Sequence, residues 1–429
     1  MFSFLLMIQD WFLTGNLHWF AVFYLFILLR WILVFSHSLR YKPYVCDNKA
    51  FFVSVIVPVV DEPLDLFRVV LEEIVKQKPD ELIVAVNGPR DPALFAMLEE
   101  RKAAWKNSEA FSMVPVKILY TPTAGKRNAI RMALENADEK SDIAVLVDSD
   151  VIWTEHTLEN LLMPFSADDR IGGVTTRQKI YRPNRRFVTM VASALEEIRA
   201  EGTMKAMSAT EKVGCLPGRT IAFRTEILHK VMPEFLTETF MGLHKEVSDD
   251  RSLTNLTLKL GYKTVMQDTA VVYTDAPLSW RKFARQQLRW AEGSQYNNLR
   301  MCGWMLRNAK LMFFIYLSDM LMPVLLVSVY ADYILCIVLK LLGFYIDTLT
   351  YTQPFVVVAV FVLIGAIFGF GLRNVKSFLR MPWYYVLLIP MLTLVLSFFF
   401  VPIRLLGLMK CADGLSWGTR TVMNGEEKG

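Results

Sequence analysis

The segment AVLVDSDV (144–151) ends an apolar run in two carboxylates one residue apart, Asp148 and Asp150. Two acids confined to one turn repel each other unless a cation lies between or beside them. Mg2+ or Mn2+ suits such a pair, because hard divalent ions take oxygen ligands and bridge to phosphates. A lone pair of this kind is equally the pattern of a solvated turn, so it needs company. TAGKRNAI (123–130) opens a helix on a Gly-Lys-Arg turn, and helix-end amides together with Lys126 make an anion site suited to a phosphate group. EVSDDRSLTNLTLKLGY (246–262) carries a second acidic pair, Asp249 and Asp250, at a helix start, where capping accounts for one aspartate and has no use for two. Further on comes QQLRW (286–290). Five cysteines, Cys46, Cys215, Cys302, Cys336 and Cys411, show no paired spacing, and the five histidines are scattered. Neither a disulfide framework nor a zinc site is indicated, so any metal here is oxygen-bound.

The elements that must position these groups alternate in type. FFVSVIVPVV (51–60) is the continuous β-branched run of a strand covered on both faces, and LDLFRVVLEEIV (64–75) then has helical periodicity. ELIVAVNG (81–88), PALFAMLEERKAAW (92–105), VKILYTP (116–122), KRNAIRMALENA (126–137) and IAVLVDSD (143–150) continue the pattern. Strand, helix, strand, helix predicts an α/β domain with a mostly parallel sheet, and in such sheets ligands bind beyond the carboxyl ends of the strands. The first acidic pair stands at one of those ends.

The chain has 429 residues, 53% of them hydrophobic, and a formal charge of +5. Its apolar residues gather at the two ends, around a region of mixed charge from about 40 to 310, the layout of a soluble domain inserted between membrane segments. Residues 17–35 are long enough to cross ~30 Å of hydrocarbon, and Arg40 and Lys42 just after them place the mixed-charge region in the cytoplasm. Arg30, inside that run, either snorkels, pairs with another helix or lines a polar path. Four further apolar runs, 311–331, 333–346, 354–372 and 383–403, predict five spans overall and a cytoplasmic tail. Arg373, Lys376 and Arg380 argue instead for a cytoplasmic loop at 373–380, hence three C-terminal spans and an outside tail. Residues 278–310 interleave Arg281, Lys282, Arg285 and Arg300 with Trp280, Phe283 and Trp304, the pattern of interfacial amphipathic helices. The expected division is an N-terminal region 1–40, a cytoplasmic domain 41–277, interfacial helices 278–310, transmembrane helices 311–409 and a tail 410–429.

Taken together, DSD, SDDR about a hundred residues later and QxxRW resemble, in order and spacing, the signature set of processive family 2 glycosyltransferases, the hyaluronan, chitin and cellulose synthases. VGCLPGRTIAFR (213–224) resembles the acceptor-side segment of the hyaluronan synthase branch, and SWGTR (416–420) its gating-loop motif. PVVDEP, GVTTRQKI, CLPGRTIAFR and RQQLRWAEGSQYN are similar to the streptococcal type 3 capsular polysaccharide synthases, the closest resemblance within that group.

The resemblance implies a GT-A type, Rossmann-like cytoplasmic domain between transmembrane helices. It implies that Asp148 faces the nucleotide-sugar, that Asp150 with Asp148 holds Mg2+ or Mn2+, and that Lys126 neutralises diphosphate. Asp250 maps to the general base, with Asp249 beside it in the catalytic motif. Gln286, Arg289 and Trp290 come from QxxRW, with Trp290 offering a flat face to the acceptor sugar. Trp417 and Arg420 join the nucleotide-sugar side, and Cys215, Gly218 and Arg224 the acceptor side. Where relatives carry an aspartate reading uracil, this chain has Asn87, and PVVDE with Asp61 stands where PxYNE is common. Asn87 can still donate and accept hydrogen bonds to a base.

The implied activity is inverting, processive polymerisation of UDP-glucose and UDP-glucuronic acid into a capsular polysaccharide extruded across the plasma membrane. The implied partners are these donors, the growing polysaccharide and the lipid bilayer, with no nucleic acid, and a monomer is compatible with all of it. The positive charge is compatible with an acidic polymer. Alternatives are hyaluronan synthesis from UDP-GlcNAc and UDP-glucuronate, a non-processive transferase making a lipid-linked sugar, and a transporter or scaffold with a dead transferase domain.

Overall fold

The computed structural model describes residues 18–109, 111–343 and 355–412. α1 (His18–Arg40) leads into β1 (Val53–Val59), followed by α2 (Leu64–Lys76), β2 (Glu81–Asn87), α3 (Pro92–Lys106), β3 (Val116–Thr121), α4 (Lys126–Glu135) and β4 (Ile143–Val147). β1, β2 and β4 are buried at every position, as strands covered on both faces must be. Side chains alternate between two cores: Val55 and Val57 pack with α2 and α3, while Ile56 packs with α4 on the other face.

The chain continues through β5 (Val151–Trp153), α5 (Thr157–Ala167), β6 (Ile171–Ile180) and α6 (Phe187–Arg199), the last prolonged by a π turn, Ala200–Met204. Then come β7 (Thr220–Arg224), α7 (Thr225–Leu236), a small hairpin of β8 (Thr239–Phe240) and β9 (Leu243–His244), α8 (Asp249–Lys259) and β10 (Lys263–Thr274). Eight strands form one sheet in the order β3-β2-β1-β4-β7-β6-β10-β5. β7 runs antiparallel to β4 and β6, and β5 antiparallel to β10, while the other pairs are parallel. The expected mostly parallel sheet is present with two reversals. Only Asp148, Ser149 and Asp150 separate β4 from β5, which pairs at the far edge, so the sheet curls over the carboxyl end of β4.

α9 (Trp280–Asn308) is one continuous helix where interfacial helices were expected. One face of it enters the domain: Gly293, Gln295, Tyr296, Asn297 and Asn298 are buried. α10 (Lys310–Leu341), α11 (Phe355–Arg373) and α12 (Trp383–Lys410) complete the described chain. Among the described helices, two stretches are long and apolar enough to cross a membrane, Lys310–Ser328 and Trp383–Lys410. The run 311–331 and the start of the run 333–346, expected as separate spans, share α10, which ends at Leu341.

Arg30 pairs with another helix: its Nε donates to Ser318 Oγ (2.8 Å) and its Nη2 to Asp319 Oδ1 (2.8 Å) on α10. The loop after α11 lies against the sheet domain and α1, with Arg380 2.8 Å from Glu201 and Lys376 donating to the Ser38 carbonyl (3.1 Å). α12 touches the sheet domain through Tyr384 with Asn184, and α9 through Gly407 against Ala291.

Candidate active site

The site assembles at the carboxyl ends of β1, β2 and β4, under the curl of the sheet. Gly125, with φ of 149°, lets the chain turn sharply into α4, a conformation a side chain would strain. Its amide donates to Asn87 Oδ1 (3.1 Å), and Asn87 Nδ2 donates to the Val59 carbonyl (3.1 Å). Asn87 is buried, so its amide braces the turn between β1 and α4. The brace uses one donor and one acceptor of Asn87, and the expected reading of a base would fall to its second N–H and lone pair.

The turn aims Lys126 at Asp148, with which its ammonium pairs. Burial alone would lower the pKa of Lys126, but Asp148, Asp249 and Asp250 outweigh it and raise it. Asp150 is pushed up to about 6 by burial, by Asp148 and by Glu62, against the pull of Arg219. Two acids held together with one of them this reluctant to ionise fit a bound cation, which would relieve both burdens. Among the described residues no group of three His, Cys, Asp or Glu could cage a metal. Two carboxylates plus substrate phosphates and water is the arrangement Mg2+ and related ions accept.

Facing this pair is the turn into α8. Ser248 is left-handed, with φ of 65°, and a side chain at Gly293 of α9 would come within 2.6 Å of its Oγ. Tyr296 of α9 donates to the Val247 carbonyl (2.6 Å), and Asn298 accepts from Arg251 (2.9 Å). The helix bearing QxxRW therefore clamps the strained turn and sets the direction of Asp250. Asp250 Oδ2 accepts from the Gly218 amide (3.2 Å) and lies 3.8 Å from Cys215 Sγ, while Oδ1 accepts from the Arg251 amide (2.8 Å). Burial, with Asp250 beside it, pushes the Cys215 thiol up to about 12, so it stays protonated. A methyl group built on Gly218 would lie 3.3 Å from Asp250 Cβ and 3.6 Å from Lys126 Nζ. Ammonium, carboxylate and acceptor-side loop thus meet across one small gap.

Asp249 is spent differently. It is buried and accepts from Arg127 Nε (2.7 Å), and Arg127 also pairs with Glu238 (2.9 Å). Burial raises its pKa, while Arg127 and Lys126 pull the other way. Its place is in the scaffold of the turn, which corrects the catalytic assignment: a carboxylate engaged by a buried guanidinium is poorly placed to take a proton. Arg224 is also corrected. Since β7 is antiparallel to β4, Thr220 opposes Val147 near the site and Arg224 opposes Ile143 at the far end, about 13 Å away along the strand. There it donates to the carbonyls of Ile171 (2.9 Å) and Phe165 (3.3 Å).

Trp290 lies by the site through Arg219, whose Cζ is 5.6 Å from the ring centroid and whose carbonyl accepts from the Asp148 amide (3.0 Å). Arg289 is partly buried and its Nε has no hydrogen-bond partner; Gln286 is partly buried one turn earlier. Asp61 is exposed at the end of β1. Trp417 and Arg420 lie outside the described residues. Sequence reasoning missed Glu62, Glu196, Arg199 and Arg219. Glu62 and Arg219 lie within quoted segments, PVVDEP and CLPGRTIAFR, whereas Glu196 and Arg199 gave no local signal.

Comparison with known proteins agrees with this outline. Residues 50–293 match the family described as "Glycosyltransferase like family 2". A hyaluronan synthase of Streptococcus pyogenes is 27% identical over 260 residues, 59% of this chain and 59% of that protein. A type 2 glycosyltransferase of Gibberella zeae is 28% identical over 254 residues, 57% of this chain and 46% of its own length. The match thus spans about three fifths or less of these relatives. Among solved structures, a mannosyltransferase of Pyrobaculum calidifontis in complex with GDP-Man and Mn2+ superposes with a TM-score of 0.57 at 17% identity, covering 89% of this chain and 97% of that one. That likeness supports the GT-A-like α/β fold.

Proposed function

The chain belongs to glycosyltransferase family 2, and on that premise we propose that it is a membrane-embedded processive polysaccharide synthase that joins UDP-glucose and UDP-glucuronic acid into a capsular polymer and passes it across the membrane. The observation that carries the reading is the meeting of Lys126, Asp148, the Gly218 amide and Asp250 across one gap, with Trp290 beside it. Lys126 and the helix end it opens receive the diphosphate. Asp148 and Asp150 would hold a divalent ion, which when bound supplies positive charge against the leaving diphosphate. Mn2+ in the mannosyltransferase complex is in keeping with that.

Asp250 accepts the proton of an acceptor hydroxyl as that oxygen bonds to the anomeric carbon. The bond from that carbon to the diphosphate breaks on the opposite face, so UDP leaves and the configuration inverts. A positioned base of this kind contributes about 10²- to 10⁴-fold. Lys126 and Arg289 stabilise the charge that grows on the departing phosphate. The apolar helices, Lys310–Ser328 and Trp383–Lys410 among them, support a multi-pass membrane protein, and Arg40 and Lys42 after the first apolar run support a catalytic domain in the cytoplasm.

The glucose and glucuronate pair rests on the resemblance of the PVVDEP, GVTTRQKI and CLPGRTIAFR segments. One observation favours a second reading, hyaluronan synthesis from UDP-GlcNAc and UDP-glucuronate: curated relatives at 27% identity are hyaluronan synthases. The test is UDP release by the purified protein in nanodiscs with Mn2+ or Mg2+, offering the three donors singly and in pairs, with the product sized on a gel. Long polymer from UDP-glucose plus UDP-glucuronate alone supports the proposal. Polymer from the UDP-GlcNAc pair transfers the assignment, and turnover without polymer removes processivity.

A further inference from the structure

One wall of the site is built from paired arginines. Arg219 donates to Gln178 Oε1 (2.7 Å) and Glu196 Oε1 (2.9 Å). Arg199, at the end of α6, donates through Nη2 to the same Gln178 oxygen (3.1 Å) and pairs with Glu196 Oε2 (2.8 Å). A void about the size of one water lies here, lined by Gln178, Glu196, Arg199 and Pro217 together with Met204 and Met266. Gln178 and Glu196 are buried, whereas the Arg199 side chain is 37% exposed. Burial would raise the pKa of Glu196, but the two guanidiniums hold it below the usual range, so it stays charged. Two cations against one anion leave the wall with one net positive charge.

The wall adjoins the reacting groups on both sides. Arg219 lies by Trp290 and attracts Asp150, while the charge of Arg199 acts on Cys215, the neighbour of Asp250. Pro217 on the cavity's rim precedes Gly218, whose amide donates to Asp250, and Arg219, which lies by Trp290, so the cavity adjoins the loop that joins these two groups.

We infer that Arg199 is a specificity-determining residue that receives the carboxylate of an acidic sugar in the acceptor on its exposed side, next to Gln178, Glu196 and Pro217. Both of its protein contacts use one nitrogen, and a guanidinium presents five N–H donors in a planar fork that matches a carboxylate. Glu196 and Gln178 fix the fork, which limits the ordering needed on binding. Glu196 also opposes the entry of an unmatched anion close to Asp148 and Asp150. The inference rests on the reading that the polymer carries uronate units.

The experiment is single-sugar transfer from UDP-glucose to a short oligosaccharide ending in glucuronate, compared with the same oligosaccharide after reduction of that carboxylate to a hydroxymethyl group. The quantity is the ratio of kcat/KM, acid-ended over reduced. The wild type prefers the acid-ended acceptor; Arg199→Gln lowers the ratio about tenfold, the loss of one charge-assisted contact. Arg199→Lys, which keeps charge opposite Glu196 and loses the fork, falls between. A ratio equal in wild type and Arg199→Gln, whatever the absolute rates, overturns the inference. Should UDP-GlcNAc prove to be the donor that glucuronate-ended chains accept, the donor pair proposed above fails, yet the ratio measured with that donor still decides the role of Arg199.

Discussion

Gly218→Ala tests whether the gap between Asp250 and Lys126 is the reaction space. The new methyl group would lie 3.3 Å from Asp250 Cβ, slightly tight, and 3.6 Å from Lys126 Nζ, an ordinary contact. Relief needs a shift of a few tenths of an ångström, so the fold tolerates the change, with a stability loss of about 1 kcal/mol or less. The backbone N–H that donates to Asp250 Oδ2 remains. The acceptor hydroxyl, however, must pass through the volume the methyl fills, and misplacement by about 1 Å costs roughly 10²-fold in rate. Steady-state UDP release should therefore fall about 10²-fold, while UDP affinity by calorimetry changes less than about threefold, because the Lys126 and Asp148 pair is not displaced. Wild-type turnover in a correctly folded variant refutes the placement of the reaction. So does an affinity loss as large as the rate loss.

Other outcomes come from the same geometry. Lys126→Met leaves Asp148 and Asp150 without their ammonium and should weaken UDP binding about 30-fold, measured by titration with Mn2+ present. Arg224→Ala strips donors from the Ile171 and Phe165 carbonyls and should lower stability by about 1–3 kcal/mol, while the acceptor KM stays within about twofold. Asp268 is held below the usual carboxylate range: burial works against this, but Arg177 and Lys205 prevail. A carboxylate with a depressed pKa stabilises above its unfolded value of about 3.9 and ceases to as pH falls through the folded value. Asp268→Asn should thus lose about 3 kcal/mol near neutral pH, and its deficit in Tm should narrow below about pH 4.

The first half of the domain was legible because its signals are local. FFVSVIVPVV could only be a doubly covered strand, and β1 is buried throughout. DSD stood at the end of an apolar run, where β4 in fact ends. β6 was not legible: Thr175, Thr176, Arg177 and Gln178 are buried yet polar, and their partners lie far along the chain. Arg177 meets Glu197, Glu201 and Asp268, and Gln178 donates to the Pro217 carbonyl. Such burial depends on pairings that periodicity does not encode. The same reason misplaced Arg224, since the reversal of β7 decides which end of CLPGRTIAFR reaches the site. The motif resemblance singled out Asp250 as the base but left Asp249 in the same role, and the buried Arg127 that engages Asp249 was not legible beside it. The buried face of α9 was hidden behind its arginines and aromatics, although Gly293 and the Gln295 to Asn298 run are what lock the turn.

The most direct measurement is the single-turnover rate of Asp250→Asn against wild type, with UDP affinity measured on the same preparations. Asparagine keeps the shape of the group, and its single oxygen can accept from the Gly218 or the Arg251 amide, one of the two that the carboxylate receives, but it cannot take the acceptor proton. UDP affinity within about threefold of wild type, together with a rate lowered by about 10²-fold or more, is the outcome expected of a general base at this position. A variant that transfers sugar at the wild-type rate would contradict the account.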